Sequence, residues 1–466
     1  MIRFFLKIII SFSLIITICM ISGCATKPPV DRRPPDRPMV APVVGPPADE
    51  VIAEIDDDLL ERITIEAEMG NMERALQIFE AERGQDQLLH VILLIQNRRL
   101  DEAEAILSQI IREDDSNITA LYHLSFIHSL RGDVGNERKI LERITMLDSN
   151  HIEASVSLGR IYARERRHGM AESIFRRVIS SHGYVEDAVL GLGIVLLAQE
   201  KSLEALDQFD TIIRNNPDNM FAYTYRARIR ASNDDFGGAE RDLNEAIRLD
   251  PDFIWNYLDR GRARLYNGNY NAAIEDFTRV ISLDSSIFIA YIHRAWAYEG
   301  VNKHDLALAD YRRALELRGD YQRGFVPFAL QLYRAKQYRD AAIYFIRAYD
   351  IDRSPEFLLF AAASLMRAGE NGLADRLIRD NMNRIPRENL LFHIARLFVD
   401  PHYEPMVLNL LRQERDNFDR MKGNFYLALY YDIFGRNMLS EQFFAEVLDS
   451  GFIQSLEYRM ASWKVQ

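Results

Sequence analysis

The stretch IWNYLDRGRARLYNGNYNAAIEDFTRVISL, residues 254–283, contains two runs of apolar residues at helical spacing, separated by Asn267-Gly268-Asn269. Apolar side chains three and four positions apart lie on one face of a helix, and Asn-Gly-Asn favours a turn. The pattern therefore predicts a helix, a turn and a second helix. Helices joined by so short a turn must lie close together. The small residues Gly261 and Ala273 permit this contact, and Phe277 fills the space beside it.

The same pattern recurs at an interval of 34 residues on both sides of this stretch. Small residues stand at one position of the first helix, in the order Ala227, Gly261 and Ala295, and at one position of the second, in the order Ala239, Ala273 and Ala307. Large apolar residues follow at Leu243, Phe277 and Tyr311. A fixed period of about 20 to 50 residues is typical of a solenoid, because each unit packs its apolar face against its neighbours.

These recurring residues resemble the tetratricopeptide repeat (TPR). The resemblance is clearest in residues 288–321, where the small and aromatic positions of the family are occupied by Tyr291, Ala295, Tyr298, Ala307, Tyr311 and Ala314. Gly319 stands where the family usually has a proline. The resemblance implies an all-α fold, a right-handed α-solenoid (superhelix) of helix-turn-helix units.

The register continues without insertion over residues 84–355, where it predicts eight TPR-like units. The small position of the second helix is alanine in every unit but one, which has Glu137; the alanines are Ala103, Ala171, Ala205, Ala239, Ala273, Ala307 and Ala341. Residues 51–83 predict an irregular N-terminal helical hairpin. After Pro355 the register slips by one residue, and residues 356–466 predict a degenerate TPR-like helical region and cap, because a terminal repeat faces solvent on one side.

Residues 1–23 have the pattern of a lipoprotein signal peptide. Arg3 and Lys7 precede an apolar run that is too short for a comfortable membrane span. Ile21-Ser22-Gly23-Cys24 resembles the bacterial lipobox, which implies cleavage before Cys24 and its acylation by more than one chain, such as palmitate. The alternatives are an ordinary signal peptide or an uncleaved anchor. Since Cys19 and Cys24 are the two cysteines of the chain, we expect no disulfide and no catalytic thiol.

Residues 24–50 are predicted to form an extended tether between the lipid and the helices. They contain eight of the fifteen prolines of the chain, and proline-rich sequence does not form the hydrogen-bond ladders of helices or sheets. The alternative is a PxxP segment that a partner domain recognises.

The sequence lacks the motifs that enzymes of common classes carry. It has no glycine-rich phosphate loop followed by lysine, no HExxH and no GxSxG, and Gly191-Leu192-Gly193 is a lone pair of glycines in an apolar run. His123 and His128 are five residues apart and do not share a helical face. We therefore expect a protein that is not an enzyme and has no metal and no cofactor. The alternative is a hydrolase within residues 356–466.

The TPR resemblance implies a binding groove on the inner face of the first helices. Transferred by register, its candidate residues are Phe221 and Trp255 at the second helical position and Arg160, Arg228, Arg262 and Trp296 at the ninth. A guanidinium suits carboxylates, and aromatic side chains supply apolar anchors. The alternative is that these arginines pair with acidic residues on adjacent helices. We expect Arg226, Arg260 and Arg294, at the seventh position, to be structural.

Charge restricts the class of partner. The formal net charge is −12, so nucleic acid and anionic lipid surfaces are poor partners, whereas a locally basic groove would select a protein surface or peptide tail. The sequence thus predicts a scaffold for envelope proteins, held by lipid in a bacterial membrane; Ala25 after Cys24 favours the outer membrane. The alternatives are a receptor for a small anionic ligand associated with a transporter, and an adaptor for peptidoglycan hydrolases.

Overall fold

The computed structural model describes residues 57–82 and 86–465, and all regular structure in this part of the chain is helical. The prediction of an all-α fold is confirmed. The predicted signal peptide (1–23), Cys24 and the predicted tether (24–50) lie outside the described residues, as do 51–56, 83–85 and Gln466.

The chain divides into two compact units between Asn256 and Tyr257. The helices of the first unit are α1 (Asp57–Glu68), α2 (Met72–Ala81), α3 (Gln87–Gln96), α4 (Leu100–Glu113), α5 (Ile118–Leu130), α6 (Val134–Leu147), α7 (Ile152–Arg164), α8 (His168–His182), α9 (Glu186–Ala198), α10 (Ser202–Asn215), α11 (Met220–Ser232), α12 (Phe236–Leu249) and the beginning of α13 (Ile254–Tyr266).

The second unit begins within α13. It continues with α14 (Tyr270–Leu283), α15 (Phe288–Gly300), α16 (His304–Leu317), α17 (Phe325–Arg334), α18 (Tyr338–Asp352), α19 (Pro355–Arg367), α20 (Asn371–Asn381), α21 (Leu390–Val399), α22 (Glu404–Gln413), α23 (Asn417–Ile433), α24 (Asn437–Asp449) and α25 (Leu456–Val465). Short 3-10 helices lie at Gln322–Gly324, Met382–Arg384 and Pro401–Tyr403. In each unit, helices that follow one another along the chain pack as hairpins.

The turn within each of eight successive hairpins contains one residue with a left-handed backbone. These residues stand 34 positions apart and are Arg98, Gly132, Arg166, Glu200, Asp234, Gly268, Asn302 and Lys336. The next such turn has Gly369, which follows Lys336 after 33 positions. The backbone therefore shows the 34-residue register directly, and it also shows a displacement by one residue after Pro355.

Small residues bring the two helices of a hairpin together. A Cβ atom added to Gly261 would lie 2.7 Å from Cε1 of Phe277, and the same atom on Gly159 would lie 2.7 Å from Cε1 of Phe175. Gly193 faces Phe209 of its own hairpin in the same way, whereas Gly191 faces Phe175 of the preceding hairpin. The pair of glycines in α9 therefore serves two contacts, one inside the hairpin and one between hairpins.

Three successive hairpins are also closed by an ion pair from the first helix to the second. Nη2 of Arg226, Arg260 and Arg294 lies 2.7, 2.6 and 2.8 Å from Oδ1 of Asp242, Asp276 and Asp310, respectively. In each pair Nε donates to the other carboxylate oxygen, so the contact is bidentate. Burial raises the pKa of Asp276, and the neighbouring Arg260 and Arg264 act in the opposite direction. The seventh-position arginines are structural, as predicted.

The last helix of the second unit turns back towards earlier helices of that unit. On α25, Glu457 lies near Tyr426 of α23, with 3.4 Å between the phenolic and carboxylate oxygens. Further along α25, the indole of Trp463 contacts His304 of α16 and the guanidinium of Arg334 at the end of α17. The helix thus connects the end of the second unit to hairpins that precede it by more than a hundred residues.

Candidate protein-binding site

An exposed group of three side chains lies on first helices of the second unit. Arg262 and Tyr266 are four residues apart on α13 and therefore share a face. Trp296 of α15 meets Tyr266 edge to face, with 5.6 Å between ring centroids. The side chain of Arg262 is 38% exposed, and Tyr266 and Trp296 are 50% and 42% exposed. We call Arg262, Tyr266 and Trp296 the aromatic patch.

The guanidinium of Arg262 is only weakly engaged inside the protein. Its Nη1 lies 3.5 Å from Oδ1 of Asp259, at the limit of a hydrogen bond, and its Nε has no partner in the described residues. An arginine side chain has five N–H donors. The Nε atom is itself buried, but the side chain as a whole is 38% exposed, so a carboxylate that approaches the aromatic patch from outside would accept from the Nη groups of Arg262.

The four other candidate residues lie in the first unit and are more enclosed. Arg160 is 15% exposed, and its Nη2 lies 2.7 Å from Oδ1 of Asp187 on α9, so here the arginine pairs with an acid on an adjacent first helix. Arg228 is half-buried, with its guanidinium 5.6 Å from the ring centroid of Tyr225.

The two aromatic candidates of the first unit are half-buried. Phe221 meets Phe253 edge to face with 6.1 Å between centroids, and Trp255 lies at the start of α13. Of the two candidate tryptophans, Trp296 is exposed, whereas Trp255 is half-buried.

Tyr266 was missed by the sequence reasoning, although a signal was present. It stands four positions after Arg262, where the preceding and following hairpins have Ser232 and Gly300. An aromatic residue at a position that its neighbours fill with small residues is the feature that would have identified it.

In the described residues, the side chains that commonly ligate metals do not cluster. No group of three or more His, Cys, Asp or Glu side chains in them could hold a metal ion. His123 is fully buried, and burial lowers its pKa to about 4. Of the helices that the structure describes, none is long and apolar enough to cross a bilayer.

The fold defined by these contacts is a solenoid of helical hairpins. Within it, residues 190–252 and 258–321 match the tetratricopeptide-repeat model, so α9 to α16 contain TPRs. No curated protein is similar to this chain in sequence.

Several solved structures are similar to parts of the chain. A TPR protein from Parabacteroides merdae ATCC 43184 is 18% identical over 50% of this chain and 93% of its own, with a TM-score of 0.40. A thermophilic TPR protein of Thermus thermophilus is 20% identical over 39% and 99%, with a TM-score of 0.33. MamA from Desulfovibrio magneticus RS-1 is 16% identical over 36% and 95%, with a TM-score of 0.35.

TPRs bind protein partners and typically act without catalysis of their own. The repeats in α9 to α16 therefore indicate a protein-interaction scaffold.

Proposed function

We propose that this chain is a lipid-anchored scaffold of the bacterial envelope that docks a protein partner on its aromatic patch. The observation that carries the proposal is the joint exposure of Arg262, Tyr266 and Trp296 on first helices of TPRs. Arginine, tyrosine and tryptophan are the residue types that contribute most binding energy in protein interfaces.

Docking on the patch combines apolar and polar contacts. Tyr266 and Trp296 supply rigid apolar surface, which loses water when a partner covers it. Arg262 shares a helix face with Tyr266 and, with a side chain that is 38% exposed, offers its Nη donors to a partner carboxylate. Because the chain as a whole carries a net charge of −12, this local arginine would select one acidic segment of a partner and exclude uniformly acidic surfaces.

The envelope location in this proposal rests on the sequence before the described helices. Ile21-Ser22-Gly23-Cys24 resembles a lipobox, and the proline-rich residues 24–50 would separate the lipid from the helices. Docked partners would then be concentrated near one membrane. The partners we propose are envelope proteins or peptide tails, and the outer membrane is the proposed site.

A photo-crosslinking experiment in cells tests the docking surface. Benzoylphenylalanine is introduced in place of Trp296, since its size and aromatic character suit that exposed position. On irradiation we expect one defined protein to be crosslinked, and the additional change Arg262→Glu to reduce its yield at least tenfold.

The matched control places the same crosslinker at Phe434, which is 51% exposed on another part of the second unit. It should give no crosslink to that protein, and Arg412→Glu, at an exposed position of α22, should leave the crosslink from position 296 unchanged. If position 296 yields no defined product, or if Arg262→Glu leaves the product undiminished in a folded protein, the aromatic patch is not the docking surface.

A further inference from the structure

A cavity of about 230 Å³ lies in the second unit, beneath the last helix. Its polar rim comes from Arg334 and Lys336 at the end of α17 and the following turn, Arg367 of α19 and Lys464 of α25. Residues of six helices therefore meet here, and α25 closes one side.

The rim has an excess of positive charge. Asp432 is the carboxylate that pairs with it: it accepts from Arg367 and lies 2.6 Å from Nζ of Lys464. Within the described part of the chain, no carboxylate oxygen lies within 4.0 Å of the charged groups of Arg334 or Lys336. Asp432 thus pairs with two of the four cations, Arg367 and Lys464, in a protein whose net charge is −12.

The excess charge already affects the titration of the rim. Burial, together with the nearby Arg367 and Lys336, lowers the pKa of Lys464 to about 8. Burial likewise lowers the pKa of Arg334, although Glu299 acts in the opposite direction. Like charges held together in this way are destabilising by themselves, and an anion bound among them would relieve the repulsion.

The rest of the cavity lining is mainly apolar and aromatic. Phe425, Phe444 and Met460 are buried and line it. The indole of Trp463 forms a wall, with the guanidinium carbon of Arg334 5.0 Å from its ring centroid. Arg367 is oriented by a hydrogen bond of 3.1 Å from its Nε to the hydroxyl of Tyr333.

We propose that this cavity binds a small organic carboxylate with an apolar body. The carboxylate would lie against Arg334 and Lys336, and the apolar body would lie between the side chains of Trp463 and Phe425. The volume is below the roughly 300–1,000 Å³ of sites for drug-sized ligands, so a small molecule fits and a folded partner does not. This is a second binding function, independent of the aromatic patch.

Benzoate is the probe for a first test, because it joins a carboxylate to a flat apolar ring. Calorimetric titration of the detergent-solubilised full chain should show saturable binding of one benzoate. Benzyl alcohol, which has the same ring without charge, should bind at least tenfold more weakly, as should acetate, which lacks the ring. Binding of all three with equal affinity, or no binding of benzoate, overturns the proposal.

Two double variants locate the site. Arg334→Gln with Lys336→Gln should weaken benzoate at least tenfold, while Arg384→Gln with Arg412→Gln removes the same charge from exposed positions outside the cavity and should change nothing. The first variant also relieves repulsion, so its melting temperature should not fall. Equal benzoate affinity in the two variants excludes this cavity as the site.

A spectroscopic measurement places the ligand beside α25. The chain has three tryptophans, so Trp255→Phe with Trp296→Phe leaves Trp463 as the single indole. Benzoate should change the emission of this variant with the same midpoint that calorimetry gives. An emission that stays constant at saturating benzoate shows that the ligand binds elsewhere.

Discussion

The hydrogen of Gly261 leaves room for the ring of Phe277, and this contact lets α13 and α14 approach each other. We predict that Gly261→Leu lowers the free energy of unfolding by about 2–4 kcal/mol, because the added atoms overlap a fully buried ring. Urea denaturation followed by circular dichroism measures the change. An unaltered unfolding curve would contradict the assigned helix contact.

A second substitution separates overlap from other effects of the change. In a Phe277→Leu background, which leaves space beside position 261, Gly261→Ala should cost less than it does in the native background. Additive costs in the double variant would show that the two residues do not interact.

His123 provides a prediction on pH. Its pKa of about 4 in the folded protein lies below its ordinary value of 6.5, so the unfolded chain binds the proton first. The stabilising effect is fully present above about pH 6.5 and is lost as the pH falls towards 4. Between pH 7 and pH 5 we expect His123 to account for a loss of about 2 kcal/mol in unfolding free energy.

The test compares His123→Leu with His182→Leu, an equivalent change at an exposed position. His123→Leu should flatten the dependence of stability on pH in this window, and His182→Leu should leave it as it is in the native protein. The opposite result would mean that the imidazole of His123 is not buried as described. His293, whose pKa is lowered to about 3 by burial and by Arg262, contributes part of the pH dependence of stability that remains in the His123→Leu variant.

At the scale of single residues, sequence periodicity predicts where two helices touch, but it does not predict which side chains form ion pairs between them. Ala239, Gly261 and Ala273 repeat at one interval and indicate where helices touch, because only small residues fit there. Asp276 repeats at the same interval but was not recognised, since an acid on a helix is ordinarily solvated. Its burial depends on Arg260 of the other helix, which a single-helix pattern does not reveal.

At the scale of the hairpin, the left-handed turn residue controls where the first helix ends. Gly268 has a φ of +78°, a conformation that side chains disfavour by about 1–2 kcal/mol. We predict that Gly268→Ala destabilises the protein by about 1 kcal/mol. Gly372→Ala, at an exposed position in α20 with open space around it, should be neutral or stabilising. Thermal melting of both variants shows whether each change raises or lowers the stability of the protein.

The ion pair between the helices of a hairpin makes a separate contribution. Asp276 is 3% exposed and accepts from both Arg260 and Arg264. We predict that Asp276→Ala lowers the unfolding free energy by about 3–5 kcal/mol, because it removes a buried carboxylate from two half-buried guanidinium groups. Asp320→Ala removes an 83% exposed carboxylate that pairs with Arg318 and should cost less than about 1 kcal/mol. Similar costs for the two changes would show that the Asp276 pair contributes no more than a surface pair.

At the scale of the whole molecule, the proposed membrane anchor depends on one atom, the sulfur of Cys24. We predict that Cys24→Ala abolishes incorporation of a labelled fatty acid and leaves the signal peptide attached, because both steps would require the thiol. Gel mobility, acyl labelling and membrane fractionation measure this. Cys19→Ala, inside the predicted signal peptide, is the control and should label as the native chain does. A labelled Cys24→Ala protein would show that the anchor lies elsewhere.

The hairpin fold of the described residues follows from the repeats, but the proposed carboxylate pocket does not. Repeat patterns describe how each helix contacts the next one along the chain, and Arg334 and Trp463 are separated by more than a hundred residues. They meet because α25 turns back within the second unit, and α25 follows a region in which the register has already slipped. No periodic signal specifies that return.

The ion pairs inside hairpins bear on how such a chain can change its length during evolution. Residues 284–317 contain two helices, the turn at Asn302 and both members of the Arg294–Asp310 pair. A duplication or deletion of this 34-residue cassette by recombination would carry every one of these parts with it. The duplicated hairpin would pack against the hairpins on either side of it through the same surfaces that already pack against each other. Length in this protein can therefore vary in whole hairpins, while a change of any other size would displace the register of everything after it.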